Sequence, residues 1–364
     1  MRPLYIVGTQ RDVGKTTLAI GLLYSFRQKG LKVAYTKPLG QRVATVGGHV
    51  LHDDAMLVSK FLGASDSPQA EMAVPLPSGR VEKEIYDLDT AALLKKVQDA
   101  YAILAADRDV VIIESMGHVA MGSCLGLSSA EIARSLNARA LLVSGGGIGR
   151  AIDEISLCAV FLKARGADLM GAVVNKVWPE KFTRIKDATT QGLKNLGIRS
   201  FGTVPFEEEL SCPTVRQVHG LLGGELVSGA GKLDNYVEHT IVAAMEASHM
   251  VRYLERSTLV ITPGDRSDNI LAALSTHILG DRQNPAVAGL VLTGGFRPDG
   301  TVMKLITDAD LPVILVKEDT YAAASKFRQT VFKITPDDDE KIGAAVCTIT
   351  EYVDTDGILE ALRH

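Results

Sequence analysis

Between Gly8 and Thr17 the chain reads Gly-Thr-Gln-Arg-Asp-Val-Gly-Lys-Thr-Thr: two glycines enclose five residues, and a lysine and two hydroxyl side chains follow at once. A glycine loop of this kind lets backbone N–H groups converge on an anion, and a lysine at its end carries an ammonium to the outer phosphates of a nucleotide. Gly8, Val13, Gly14, Lys15, Thr16 and Thr17 are the candidate phosphate-binding residues, with the Thr16 hydroxyl offered to Mg²⁺. The usual phosphate loop (P-loop) encloses four residues, so this one is longer by one. A carboxylate belongs beside it. The run Asp109-Val110-Val111-Ile112-Ile113-Glu114 ends in such an acid, where a buried strand would deliver it to the same cation. A chance Gly-Lys-Thr in an ordinary strand-to-helix turn is the alternative.

These residues need elements to hold them. Leu4 to Val7 is a short β-rich run and Leu18 to Gln28 has helical composition, so the loop sits between a strand and a helix. Strand and helix signals then alternate to about residue 210, which predicts a doubly wound parallel-sheet α/β domain. Gly145 to Arg150 reads as a loop rimming the same crevice; Arg150 faces phosphates or pairs with Asp153 or Glu154. His118 is either a general base or simply solvated. His49 and His52 lie beside Asp53 and Asp54 without a third nitrogen or sulfur ligand nearby, which favours a hard cation over a transition metal.

Pro213 and the glycines at 220, 223, 224, 229 and 231 mark a boundary. The expected domains are therefore 1–212, a linker at 213–230, and a smaller α/β domain at 231–364 that carries a C-terminal helical segment. Apolar strands are predicted around Thr258–Thr262, Ala288–Thr293 and Leu311–Val316. Asp265 and Arg266 there bind a small ligand or form an internal ion pair, and Gly294-Gly295 allows close backbone approach. Trp178 is expected to pack or to line the rim.

Composition narrows the partners. With 39 Lys+Arg against 43 Asp+Glu the formal charge is −4, which excludes a polybasic nucleic-acid binder. The four cysteines are scattered and form no CxxC pair, so neither a zinc ribbon nor a disulfide framework is expected. The apolar run after Met1-Arg2-Pro3 is too short for a leader or a membrane span, and a cytoplasmic protein with no membrane partner is expected.

The loop GTQRDVGKT resembles that of dethiobiotin synthetases, near GTDTxVGKT, with Gln10 and Arg11 replacing an acidic and a hydroxyl residue. Val33-Ala34-Tyr35-Thr36-Lys37-Pro38 resembles their second strand, ending in YKP; Asp54-Ala55-Met56-Leu57 resembles their DAL segment. Glu114 stands in their VEGAGG position but is followed by Ser115-Met116-Gly117-His118. The resemblance implies ATP or another NTP with Mg²⁺, Lys15 and Lys37 as catalytic residues stabilising a transferred phosphoryl group, and Thr16, Asp54 and Glu114 as metal ligands. It also implies that Asn175, in Val173-Val174-Asn175-Lys176, reads the nucleobase, that Pro205 lines the base pocket, and that the chain forms a homo-oligomer. Lys37 has the alternative of a solvated lysine before a proline turn, and Pro205 that of a strand stop.

The elements Gly264-Asp265-Arg266-Ser267-Asp268-Asn269 and Leu292-Thr293-Gly294-Gly295 resemble a DRTGG domain. Such a domain lies between the synthetase-like and catalytic parts of long bacterial phosphotransacetylases, and the stretch from Ile334 to Asp354 resembles what precedes their acetyltransferase domain. On that resemblance 364 residues leave no room for the transferase, so a phosphate acetyltransferase acting alone is not expected. Three functions follow: an Mg-ATP-binding regulatory or sensory module with a small-molecule ligand at the DRTGG domain, an ATP-dependent ligase that phosphorylates a carboxylate or carbamate, or a structural partner with a vestigial loop. The changed 115–118 segment favours the first.

Overall fold

The computed structural model describes residues 1–41, 43–46, 49–63, 70–77, 79–280 and 286–364. The chain divides into two compact units, Met1–Glu207 with Ile334–His364, and Glu208–Lys333.

The first unit opens with β1 (Leu4–Gly8), the loop, and a helix over Lys15–Gln28. Next come β2 (Val33–Thr36), the short strands β3 (Leu39–Gly40), β4 (Val43–Val46) and β5 (His49–His52), a helix Asp53–Leu62, and β6 (Val74–Pro75). The remaining strands are β7 (Val110–His118), β8 (Arg139–Ser144), β9 (Asp168–Val177) and β10 (Ser200–Pro205). Six of these form one parallel sheet in the order β10-β9-β8-β1-β7-β2. From β7 the chain crosses β1 to reach β8, so the carboxyl ends beside β1 form the crevice where such sheets bind ligands.

Strand alternation sorts the core into two layers. Tyr5, Val7, Val111, Ile113 and Leu142 face the helices Thr90–Ala105, Ser129–Ser135, Gly149–Ala164 and Phe182–Asn195. Leu4, Ile6, Ile112, Leu141 and Val143 face the opposite side with Leu18, Leu22 and Phe26 of the loop helix.

That second face is completed by the end of the chain. The helices Asp339–Tyr352 and Thr355–Ala361 place Ile342, Ile349, Ile358 and Leu359 in the same layer. Gly21 of the loop helix lies against Ile349, where a Cβ would collide with the isoleucine side chain. Arg2 N–H donates to Leu362 O at 3.0 Å, Ser25 Oγ to Thr355 Oγ1 at 2.9 Å, and Lys29 pairs with Asp356. The assignment of 231–364 to the second domain is thus corrected for its last 31 residues. One helix cannot cover six strands, and the apolar face of β10 and the flank of the loop helix bury against this returning segment.

The second unit holds β11 (Glu225–Ser228), β12 (His239–Val242), β13 (Thr258–Pro263), β14 (Val287–Thr293) and β15 (Val313–Leu315) in the order β11-β15-β14-β13-β12. The last four are parallel, and β11 runs antiparallel on β15. Apolar layers cover both faces. The stretch expected as a linker is structured: Thr214 and Gln217 form a capping box on the helix Val215–Leu222, and β11 follows. Its glycines serve turns, since Gly223, Gly224 and Gly229 take φ of +70°, +88° and +72°.

Candidate functional site

The loop from Gly8 to Gly14 is held from three sides. Gly8 closes β1 against Gly117; a Cβ here would stand 2.8 Å from the Gly117 carbonyl oxygen and 2.9 Å from Lys15 Nζ. Gly14 starts the helix with φ +91°, a left-handed conformation that favours glycine. Lys15 is buried, and its ammonium donates to the Gln10 carbonyl at 3.4 Å, curling back over the loop it serves. Thr16 and Thr17 are half-buried in the first turn of the helix.

The first half of the loop is tied to the helix that follows β8. Thr9 Oγ1 and Gln10 Nε2 donate to the two Glu154 oxygens at 3.0 and 2.7 Å. Arg150 donates to Glu154 at 2.8 Å and to Gln10 Oε1 at 2.9 Å. Of the two readings of Arg150, the structure therefore takes the ion pair, but one that also grips the loop. The second half is tied to β9. Asn175 Nδ2 donates to Val13 O at 2.9 Å, its Oδ1 accepts from Lys176 N–H at 2.8 Å, and Lys176 Nζ reaches Asp12 O at 2.7 Å.

The metal-ligand candidates meet behind the loop. Glu114, in register with Ile6 of β1, is 1% exposed. Its Oε1 accepts from Thr16 Oγ1 at 3.1 Å and from Lys37 Nζ at 2.9 Å, and its Oε2 accepts from the Tyr35 hydroxyl at 2.9 Å. Lys37 Nζ also bonds Asp54 Oδ2, while the Asp54 N–H donates to His52 Nδ1 at 3.1 Å. The solvated-lysine reading is overturned: Lys37 is buried between two carboxylates. Burial alone would pull its ammonium pKa down, but Glu114 and Asp54 outweigh this and raise it well above the ordinary value. Burial, reinforced by the same carboxylates, raises Tyr35 far above the usual phenol range, so it donates as a neutral hydroxyl.

Thr16, Asp54 and Glu114 supply hard oxygen donors, two of them charged, and fit Mg²⁺, which is commonly held by one or two carboxylates together with substrate phosphates. Among the described residues no group of three His, Cys, Asp or Glu side chains converges on a metal position. The side chain of His49 lies outside the described residues.

Tyr35, Glu154 and Lys176 were not among the candidates. Tyr35 had a signal: it stands two residues before Lys37, so an extended chain sends both side chains to one face. Glu154 was expected only as a partner of Arg150, and its grip on Thr9 and Gln10, like that of Lys176 on Asp12, had no signal because those partners are far away in the chain. β7 runs on through Ser115 to His118 instead of opening into a glycine loop. Ser115 Oγ accepts weakly from Gly8 N–H at 3.4 Å, and exposed His118 accepts from Ala120 N–H through Nδ1 at 3.3 Å. Pro205 ends β10, and Phe206 beside it packs on Trp178 with ring centroids 4.7 Å apart.

In the second unit Arg266 chelates Asp268 at 2.9 and 2.8 Å and donates to Met245 O at 3.0 Å. This pair with Arg266 lowers the Asp268 pKa to about 2. Gly264 lies against the backbone carbonyl of Phe296 and Gly294 against its ring, so these glycines make room for one residue of the same unit.

The parallel sheet, the glycine loop after β1 and the acid on β7 define a P-loop NTPase-like protein. Residues 2–214 match the AAA domain family known as AAA_26, and the chain belongs to that family; residues 217–330 match the DRTGG domain. The chain is similar to the phosphate acetyltransferases of Nitratidesulfovibrio vulgaris, 28% identical over 366 residues, and of Pseudomonas aeruginosa, 29% identical over 370. Each alignment covers 97% of this chain and 50% of the relative, so the chain spans about half the length of these curated relatives. Among solved structures, the MinD cell division protein of Aquifex aeolicus aligns at 16% identity and a TM-score of 0.38, over 58% of this chain and 84% of that one. Among the described residues no helix is long and apolar enough to cross a membrane.

Proposed function

We propose that this chain is an Mg-ATP-binding regulatory module, related to part of the phosphate acetyltransferases it resembles. The observation that carries the reading is the meeting of the Thr16 hydroxyl with Glu114 at 3.1 Å beneath a loop capped by Lys15. Gly8, Val13, Gly14 and Thr17 would line the phosphates, Lys15 would neutralise the outer ones, and Thr16, Glu114 and Asp54 would hold the cation. When bound, Mg²⁺ neutralises phosphate charge. Pro205 and the exposed Trp178, packed on half-buried Phe206, offer an apolar rim for the base. The DRTGG domain would take the regulatory role, and self-association follows from the resemblance to dimeric synthetases.

A binding role is favoured over a ligase by the 115–118 segment. A glycine-rich stretch that could wrap an organic acid is replaced by strand whose Ser115 is fully buried. The test is release of ADP with and without candidate carboxylic acids. Nucleotide binding without acid-stimulated turnover is expected; turnover stimulated by an acid and abolished in Lys15→Ala would replace this reading by the ligase.

A further inference from the structure

Lys37 occupies the place where cation and carboxylates would meet. Its Nζ bonds Asp54 Oδ2 and Glu114 Oε1, and that same Oε1 accepts from Thr16 Oγ1. Two of the three expected metal ligands, Asp54 and Glu114, are thus closed on one ammonium and the third, Thr16, bonds the same Glu114 oxygen, with side-chain exposures of 5% for Lys37, 3% for Asp54 and 1% for Glu114. A divalent cation and this ammonium compete for the same oxygens, and at such burial their mutual repulsion is poorly screened.

We propose that Lys37 is an internal counter-cation that excludes free divalent metal until a polyphosphate draws its ammonium away, so that metal binds only together with the anion. The proposal rests on the nucleotide-binding reading and names how that site is regulated. The carboxylates have supports independent of Lys37. Tyr35 donates to Glu114 Oε2, and Asp54 sits in the first turn of the helix Asp53–Leu62, its N–H on His52. They can stay in place while the ammonium, on its flexible four-carbon stem, swings to a phosphate oxygen. The exchange keeps charge matched. With the ammonium in place the two carboxylates keep a single net negative charge; once it leaves they present two, which a divalent cation neutralises, and only an incoming anion gives the ammonium somewhere to go.

The test uses Mn²⁺ as the probe, its binding to the full chain followed by equilibrium dialysis, in which free Mn²⁺ and its tripolyphosphate complex equalise across the membrane and only the excess on the protein side counts as bound. Wild type is expected to bind Mn²⁺ at least about tenfold more tightly when inorganic tripolyphosphate is present. Lys37→Met without any anion is expected to bind Mn²⁺ about tenfold more tightly than wild type. Equal Mn²⁺ affinity of wild type with and without tripolyphosphate overturns the proposal, as does a folded Lys37→Met with unchanged or weaker affinity. The wild-type comparison decides the matter even if the variant fails to fold. Binding of a fluorescent ATP analogue separates the two readings. If the analogue binds while Mn²⁺ affinity ignores the anion, only the exchange fails; if Lys37→Met tightens Mn²⁺ binding while the analogue never binds, only the nucleotide reading fails.

Discussion

The side-chain amide of Asn175, at the end of β9, donates to the carbonyl of Val13 across 2.9 Å and so braces the glycine loop from a residue 162 positions away. Its Oδ1 is engaged by Lys176 N–H, and Gly14 lies so close that a Cβ there would run into the amide nitrogen. An amide committed to backbone at both ends shapes the loop. From the sequence, Asn175→Ala is expected to change base preference more than phosphate affinity. The structure shifts that expectation: the variant should strand a buried carbonyl, lose about 1–3 kcal/mol of stability, and weaken ATP and GTP alike. Dissociation constants for both nucleotides with a denaturant titration check it; a change confined to the ATP-to-GTP ratio would restore the base-reading role.

Lys15 is buried against its own loop, its ammonium resting on the Gln10 carbonyl. Lys15→Ala should reduce affinity for ATP by roughly ten- to a hundredfold, the worth of one charge-assisted contact to phosphate. Isothermal titration with an ATP analogue measures it. Stability should change little, because the helix Lys15–Gln28 keeps its apolar face.

Ile349 joins the returning C-terminal segment to the loop helix at Gly21. Ile349→Ala should cost about 2–5 kcal/mol, as large-to-small core changes do. Urea unfolding would show it, and nucleotide affinity should fall at temperatures where the first unit begins to open. A surface-like loss under about 0.5 kcal/mol would mean that the segment is not part of this core.

Cys158 is a buried residue of the same helix as Glu154, and burial, aided by that carboxylate, raises its thiol from the ordinary 9.0 to about 11. A thiol whose pKa is raised by folding favours the native state below its unfolded value and loses that contribution as the unfolded chain ionises. Stability should therefore fall between about pH 9 and 11, and this part of the slope should vanish in Cys158→Ala. Alkylation at pH 8 should label the exposed Cys124 and Cys347 well before Cys158.

Trp178 is the sole tryptophan of the chain, 53% exposed and set against Phe206. If the base rests on this rim, ATP should quench or shift its emission, whereas tripolyphosphate should not. Equal responses to both would place the base elsewhere.

The strand, glycine loop and helix at the start were legible because local composition specifies them: a loop that must turn tightly around an anion needs Gly8 and Gly14, and the flanking periods of two and 3.6 announce the elements. The acid of β7 was legible for the same reason, as the end of an apolar run. What the chain itself could not disclose were pairings between distant positions. Nothing near Lys37 indicates that its ammonium lies between Asp54 and Glu114, and nothing near Asn175 indicates Val13. The second unit was legible in its apolar strands β13 to β15, but β11 is short and mostly half-buried, β12 is short and mostly exposed, and neither gave a pattern to read. The last 31 residues looked like a continuation of that unit; only folding shows that they close the first, because the uncovered face of a six-stranded sheet is a property of the assembled layers and not of any stretch of sequence.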